Sequence, residues 1–308
     1  MAQPEVILHN EHLILHLLPE SGGRTGRLQV RKHGLELLKP IDARLPFDPL
    51  NWPRAGLYPL IPYSNRIAGA ELEVAGQRHT LPPHPDAVPH TLHGVSHTRP
   101  WAVESASSTA AVLSLDYHGP HWPWPFRAEQ QFTLTDKWLA VQLTVTNHGD
   151  SAMPAGIGLH PYLQAYPQMC VAFGSQRQWD IAADYLATGE FHDNAMSVEI
   201  TPYDWATATR ADYLSQWGGE ASVSYPQGRL RIIADQVLDH LVVFAPAGTD
   251  YVCLEPVSHL ANGFNLAARL GHDCTGTRMV EPGASLTSHI TFEWADLHSV
   301  TTITQTRL

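Results

Sequence analysis

The sequence predicts an all-β protein, a large antiparallel β-sandwich with few short helices. Three observations predict it. Short segments in which apolar and polar residues alternate recur along the chain, at the period of two that turns one face of a strand toward a core. Turn formers separate them, with 24 Pro and 22 Gly. No segment sustains the 3.6-residue period of a long helix. Antiparallel sheets packed face to face bury strands of this kind.

The elements follow in order. Residues 5–9 and 12–18 read as two early strands, and 111–117 and 138–146 alternate in the same way. The second of these runs into Asn147-His148-Gly149-Asp150, a turn cluster. Residues 221–225, 229–234 and 240–245 repeat the pattern, separated by Pro226-Gln227-Gly228 and followed by Pro246-Ala247-Gly248. Residues 286–294 close the series. The best helical candidate is 262–271, with Gly271 placed as its stop. No linker, internal repeat or low-complexity tract interrupts the 308 residues, so 1–308 is expected to form a single domain.

Composition narrows the function. The formal net charge is −11, and the 19 Lys and Arg form no runs, which argues against nucleic acid as a partner. No apolar run is long enough for a membrane span, and the first residues do not read as a secretory signal. The three cysteines, Cys170, Cys253 and Cys274, are odd in number and lack metal-ligand spacing. They read as reduced thiols, so a cytoplasmic location is expected. The chain is expected to work as a monomer or homodimer.

Segment 40–66 is loop-rich and holds six prolines; such a stretch is either a stiffened surface connection or a functional loop. Four clusters place polar residues at tight turns. The first, Pro62-Tyr63-Ser64-Asn65-Arg66-Ile67, offers Arg66 either to substrate hydroxyls or to backbone carbonyls. The second, Leu92-His93-Gly94, lies shortly before Trp101; its Gly permits close backbone approach, but His93 fits a satisfied polar residue as well. In the third, Gly156-Ile157-Gly158-Leu159-His160-Pro161-Tyr162, Pro161 biases His160 toward extended backbone. In the fourth, Val252-Cys253-Leu254-Glu255-Pro256, a carboxylate among apolar residues is a candidate for a raised pKa.

Other chemistries find no support. His93 and His97 are spaced like a helical metal pair, but Gly94 follows His93 where the zinc-protease motif has Glu. There is no Gly-x-Ser-x-Gly nucleophile elbow, and the glycines at 22, 23 and 26 have the wrong spacing for a dinucleotide turn.

Taken together and in order, these clusters resemble the motifs of the aldose 1-epimerase (galactose mutarotase-like) family. The likeness runs over about residues 12–295, from Gly22-Gly23-Arg24 through Pro62–Ile67, His93-Gly94 and His160-Pro161-Tyr162 to Glu255-Pro256-Val257-Ser258-His259 with Asn262 and Asn265. This last stretch is similar to the Glu-bearing motif of a bacterial branch. The resemblance implies the family's supersandwich fold, a sugar site on one concave sheet, and no cofactor or metal. It implies His160 as general acid and Glu255 as general base, with Arg66 and His93 binding substrate beside Asn65. A sugar-binding Asp is expected ahead of the strand at 221–225; Asp212 is the choice and Asp204 the rival. Trp101 or Tyr162 is expected to offer the sugar an apolar face, although either also suits a core. Pro161-Tyr162-Leu163 and Pro256-Val257-Ser258 depart from the galactose-specific pattern, which leaves the sugar open.

The function so implied is interconversion of α and β anomers of a free aldose by acid–base ring opening and closure. Three alternatives remain at this point. An enzyme of the same fold acting on a phosphorylated hexose needs extra cations, to which Arg99 could contribute. A non-catalytic carbohydrate-binding protein would not need both His160 and Glu255. A glycoside hydrolase needs two carboxylates flanking the bond.

Overall fold

The computed structural model describes residues 5–297. Eighteen strands join in one hydrogen-bonded array whose pairings are all antiparallel, and three further two-stranded pairs lie outside it. The array closes over one continuous apolar core that draws on strands from Leu8 to Trp294. The expected β-sandwich is therefore the fold. The expected segments appear as strands Val6–His9, Leu13–Leu18, Ala110–Gly119, Trp138–Asn147, Glu220–Tyr225, Gly228–Ala234, His240–Ala245 and Ser285–Asp296. The expected helix is Gly263–Leu270, closed by Gly271 at φ 84°.

Several long strands lie where the sequence offers no clean signal. Trp122–Thr135 carries Pro123 and Pro125, residues that remove ladder donors. Both precede Phe126, the first residue of this strand to pair with Trp138–Asn147. The missing donors therefore fall where the strand is paired on one side only.

Four neighbouring strands build the floor of a cavity, and each divides its residues between two faces. Leu159 and Leu163, Val252 and Leu254, Leu241 and Val243, and Leu214 point into the main core. On the opposite face, Tyr162, Cys253, Val242 and Tyr213 join a second, smaller cluster with Trp52, Tyr58 and Tyr251. This is the period-two alternation of a sheet buried on both sides. It decides which side chains reach the cavity.

Candidate active site

Register assembles the site. Tyr162 pairs with Cys253 and Gly158 with Val257, which sets His160 opposite Glu255 on adjacent strands. On its other side His160 pairs with Tyr58. Glu255 pairs with Val242, which pairs with Tyr213. Tyr58, His160, Glu255, Val242 and Tyr213 thus form one row across five strands, all on the face away from the main core. Gly158 permits this close approach, because a Cβ there would lie 2.7 Å from the Pro256 carbonyl oxygen.

Above the row lies a cavity of about 430 Å³, within the range of roughly 300–1,000 Å³ usual for small-molecule sites. Its walls are Trp52, Arg54, Asp86, Leu92, His93, Asn65, Arg66, Tyr185, Phe244, Pro246 and Tyr251, with Tyr162 beside the row. A larger cleft of about 650 Å³ runs along Glu71–Val74 and the 263–270 helix. Its charged groups, such as Glu73 and Arg78, are exposed, and it brings no buried acid and base together. We therefore place the site at the smaller cavity.

The two central groups are nearly sealed from solvent, His160 at 4% and Glu255 at 2% exposure. Nε2 of His160 lies 3.3 Å from Oε1 of Glu255. Oε2 of Glu255 and Nδ1 of His160 find no hydrogen-bond partner among the described residues. Burial pushes the Glu255 carboxyl up to about 8, while the Arg66 guanidinium pulls it partly back. Burial also holds His160 well below the ordinary imidazole value, and the cations Arg24 and Arg54 push it further down. Both shifts favour uncharged forms. Near neutral pH the pair then holds one proton, resting on the carboxyl. Moving that proton to His160 creates an ion pair without changing the proton count, so the two residues titrate as a unit.

Aromatic rings fix the imidazole. Tyr58 stacks on His160 at 4.6 Å and 28°, and Tyr162 at 4.7 Å and 15°. Tyr162 thus lines the cavity and braces His160. The guanidinium of Arg24 sits 4.3 Å above the Tyr58 ring, and its Nη2 contacts Nδ1 of His97 at 3.2 Å. His97 is thereby tied up behind the wall.

The two turn motifs interlock. Asn65 and His93 both adopt left-handed backbone, at φ 57° and 61°. The Asn65 amide N–H donates to Nδ1 of His93 at 3.0 Å, and the His93 N–H donates to the Asn65 carbonyl at 2.9 Å. An accepting Nδ1 leaves the His93 proton on Nε2, with the ring edge-on to His160 at 5.1 Å. Gly94 continues the turn at φ 67°, where a Cβ would come within 2.5 Å of the Ile61 carbonyl oxygen. The Asn65 side chain lines the cavity but is largely committed to structure. Its Nδ2 donates to the Tyr213 hydroxyl at 3.0 Å, and its Oδ1 accepts from the Arg66 N–H. Arg66 lies 5.1 Å from the Tyr185 ring centroid, and no carboxylate salt bridge engages it among the described residues. Arg54, by contrast, is paired with Asp86.

Four residues raised by the sequence, Asp212, Asp204, Trp101 and Arg99, lie outside the cavity lining. Asp212 is one residue out of phase with Tyr213, so it projects to the other face of the sheet. There it is held by Arg210 Nε at 2.6 Å and by Gln178 Nε2 at 3.2 Å. Asp204 is exposed and caps a short helical turn, its Oδ2 accepting from the Thr201 N–H at 2.6 Å. Trp101 is buried in the main core, with its indole N–H donating to the Ser96 carbonyl at 2.9 Å and its ring packed on Gly23. Arg99 is exposed and outside the cavity. Conversely, Trp52, Arg54, Tyr58, Asp86, Tyr185, Tyr213 and Tyr251 were not singled out from the sequence. Trp52, Arg54 and Tyr58 lie in the Pro-rich segment 40–66, whose irregularity was the available signal.

No helix among the described residues is long and apolar enough to cross a membrane. Comparison with known proteins bears on the family and the fold. The chain is 29% identical over 258 residues to the uncharacterized Escherichia coli K12 protein YphB, an alignment covering 78% of this chain and 84% of that protein. It is 24% identical over 234 residues to the uncharacterized E. coli K12 protein YihR, covering 72% and 76%. A galactose mutarotase-like protein from Clostridium acetobutylicum superposes with a TM-score of 0.83 at 17% identity, covering 94% of this chain and 95% of its own, which establishes a shared fold. The sequence model of the aldose 1-epimerase family matches residues 38–293. With a match spanning most of its length, this chain belongs to the aldose 1-epimerase family.

Proposed function

We propose that the protein interconverts the α and β anomers of a free aldose, with His160 and Glu255 as the acid–base pair. The observation that carries this reading is their placement. An imidazole and a carboxyl face each other at 3.3 Å on the floor of a cavity suited to a small molecule.

Anomer exchange needs one proton removed from the C1 hydroxyl and one delivered to the ring oxygen. The pair supplies both without net proton uptake. In its ion-pair form, Glu255 takes the hydroxyl proton and His160 protonates the ring oxygen. The C1–ring oxygen bond then breaks to an open-chain aldehyde. Rotation about C1–C2 presents the other carbonyl face, and the reversed transfers close the ring. The positive charge of Arg66 stabilises the ionised Glu255 on which the forward step depends. Each positioned acid or base contributes on the order of 10²–10⁴-fold. Two such contributions with a held geometry suffice for a reaction that already proceeds slowly in water.

Arg66, and His93 through its Nε2–H, are the donors suited to sugar hydroxyls. The Tyr58, Tyr162, Tyr213 and Tyr251 rings supply apolar faces. Arg54 is already paired with Asp86, which leaves Arg66 as the cavity cation without a carboxylate salt bridge among the described residues. One such cation suits the hydroxyls of a free aldose, and a phosphorylated sugar is the comparison that tests this. Polarimetry on freshly dissolved α-glucose and α-galactose tests the proposal, with glucose 6-phosphate as comparison. Faster decay of rotation for a free aldose than in buffer is expected. Binding of free sugars without faster decay would turn the reading to a carbohydrate-binding protein.

A further inference from the structure

Cys253 has no role in the proposed chemistry, yet it is fully buried two residues before Glu255 on the same strand face. One ligand atom each from His160, Cys253 and Glu255 lie within 4.8 Å of one another. A triangle with sides of that length has its centre about 2.8 Å from each corner, and zinc–ligand distances run at about 2.0–2.3 Å. Small side-chain rotations therefore bring all three atoms onto one ion. Among the described residues, buried Oε2 of Glu255 and Nδ1 of His160 have no hydrogen-bond partner, so neither group is committed to a neighbour other than the other.

The donor set selects the ion. Nitrogen, thiolate sulfur and one carboxylate suit a borderline-soft cation such as Zn²⁺, whereas Mg²⁺ and Ca²⁺ call for oxygen ligands. Charge also favours it. Zn²⁺ displaces one proton from the Cys253 thiol and one from the Glu255 carboxyl into solvent, and neutral His160 adds no charge. Two plus charges on the metal then meet two minus charges on its ligands, so the buried site carries no net charge. Three protein ligands would leave a fourth tetrahedral position open, and two of the three, His160 and Glu255, line the cavity.

We propose that His160, Cys253 and Glu255 form a binding site for a soft divalent cation, and that its occupancy blocks the acid–base pair. A bound ion takes up the Glu255 oxygen and the His160 nitrogen that the proposed reaction needs. Zn²⁺ and sugar therefore compete. The blocking part rests on the proposed epimerase reading, whereas the binding part does not.

Titration of the full-length protein with Co²⁺ tests the binding part. A thiolate-to-cobalt charge-transfer band is expected at one equivalent, displaced by one equivalent of Zn²⁺. The band should vanish in Cys253→Ser, or in Cys253→Ala if the serine variant folds poorly, and persist in a Cys170→Ser/Cys274→Ser double variant. Absence of the band in the wild type, or its persistence without Cys253, would overturn the site. In the polarimetric assay Zn²⁺ should inhibit the wild type competitively. Cys253→Ser should keep its basal rate and need at least about 10-fold more Zn²⁺ for the same inhibition, since losing even a residue that only supports a metal ligand typically costs about 10–100-fold in metal affinity. Unchanged zinc sensitivity in that variant would overturn the blocking part. A cobalt band in a protein without epimerase activity would leave the metal site standing and remove only the proposed reaction.

Discussion

Nε2 of His160 stands 3.3 Å from Oε1 of Glu255 across two antiparallel strands whose register sets the residues directly opposite. Burial pushes each toward its uncharged form, the carboxyl up to about 8 and the imidazole well below its ordinary value. The pair is one proton-holding unit, and its consequences can be measured.

The first concerns pH and rate. Exchange needs one proton on the pair. The pair gains a second proton only well below 6.5, where His160 is held, and loses its last near about 8. The profile of kcat/KM should be level through neutral pH and fall on an alkaline limb near 8. A limb near the ordinary carboxylate value, with full activity above it, would contradict one-proton sharing.

The second concerns pH and stability. The Glu255 carboxyl is raised from 4.5 to about 8 in the fold. Between these values the folded state holds a proton that the unfolded state has lost. The stability this gives is fully present below 4.5 and is lost as pH rises through 8. Glu255→Gln removes the titration. The variant should gain on the wild type as pH rises from 5 to 8.5, by on the order of a few kcal/mol at about 1.4 kcal/mol per unit. Thermal melts at the two pH values check this, and a constant difference between the proteins would contradict it.

The third concerns Arg66, which pulls the Glu255 value down and has no carboxylate salt bridge of its own among the described residues. Arg66→Met should lower kcat/KM by about 10–100-fold, the scale of losing a hydrogen bond to a charged group. It should also move the alkaline limb upward, because the ionised carboxylate loses its stabilising cation. A rate loss with no movement of the limb would confine Arg66 to sugar binding.

The fourth tests the placement of Asp212. Its carboxylate pairs with Arg210 on the face away from the cavity. Asp212→Asn should leave the sugar KM within about twofold and cost on the order of 1–3 kcal/mol of stability, because the buried carboxylate is hydrogen-bonded by Arg210 and Gln178. A large rise in KM would return Asp212 to the site.

Much of the fold was legible because its strands alternate locally. His160 and Glu255 stood out through the ordered motifs that resemble the family's rather than through local pattern, and each lies inside a strand, Leu159–Gln164 and Tyr251–Val257, rather than at its end. Asp212 was misplaced because the run Arg210–Ser215 carries no sign of which residues face which side. That is decided by Tyr213 pairing with Val242, 29 positions away. A shift of one residue turns every side chain to the other face. Trp101 was misplaced because its burial depends on Gly23, 78 positions earlier. The cavity wall from Trp52 to Tyr58 was flagged as an unusual loop, but only its folding over the sheet shows which side chains turn inward. Trp122–Thr135 stayed unread because its two prolines mimic a break.

The most direct measurement of the central claim is anomer exchange in Glu255→Gln and His160→Asn, followed by magnetisation-exchange NMR between the α and β signals of an aldose that the wild type accelerates. Each variant should keep the wild-type fold by circular dichroism and lose at least about 10²-fold in exchange rate, the lower bound for removing a positioned acid or base. Wild-type exchange in either folded variant would contradict the assignment of the pair.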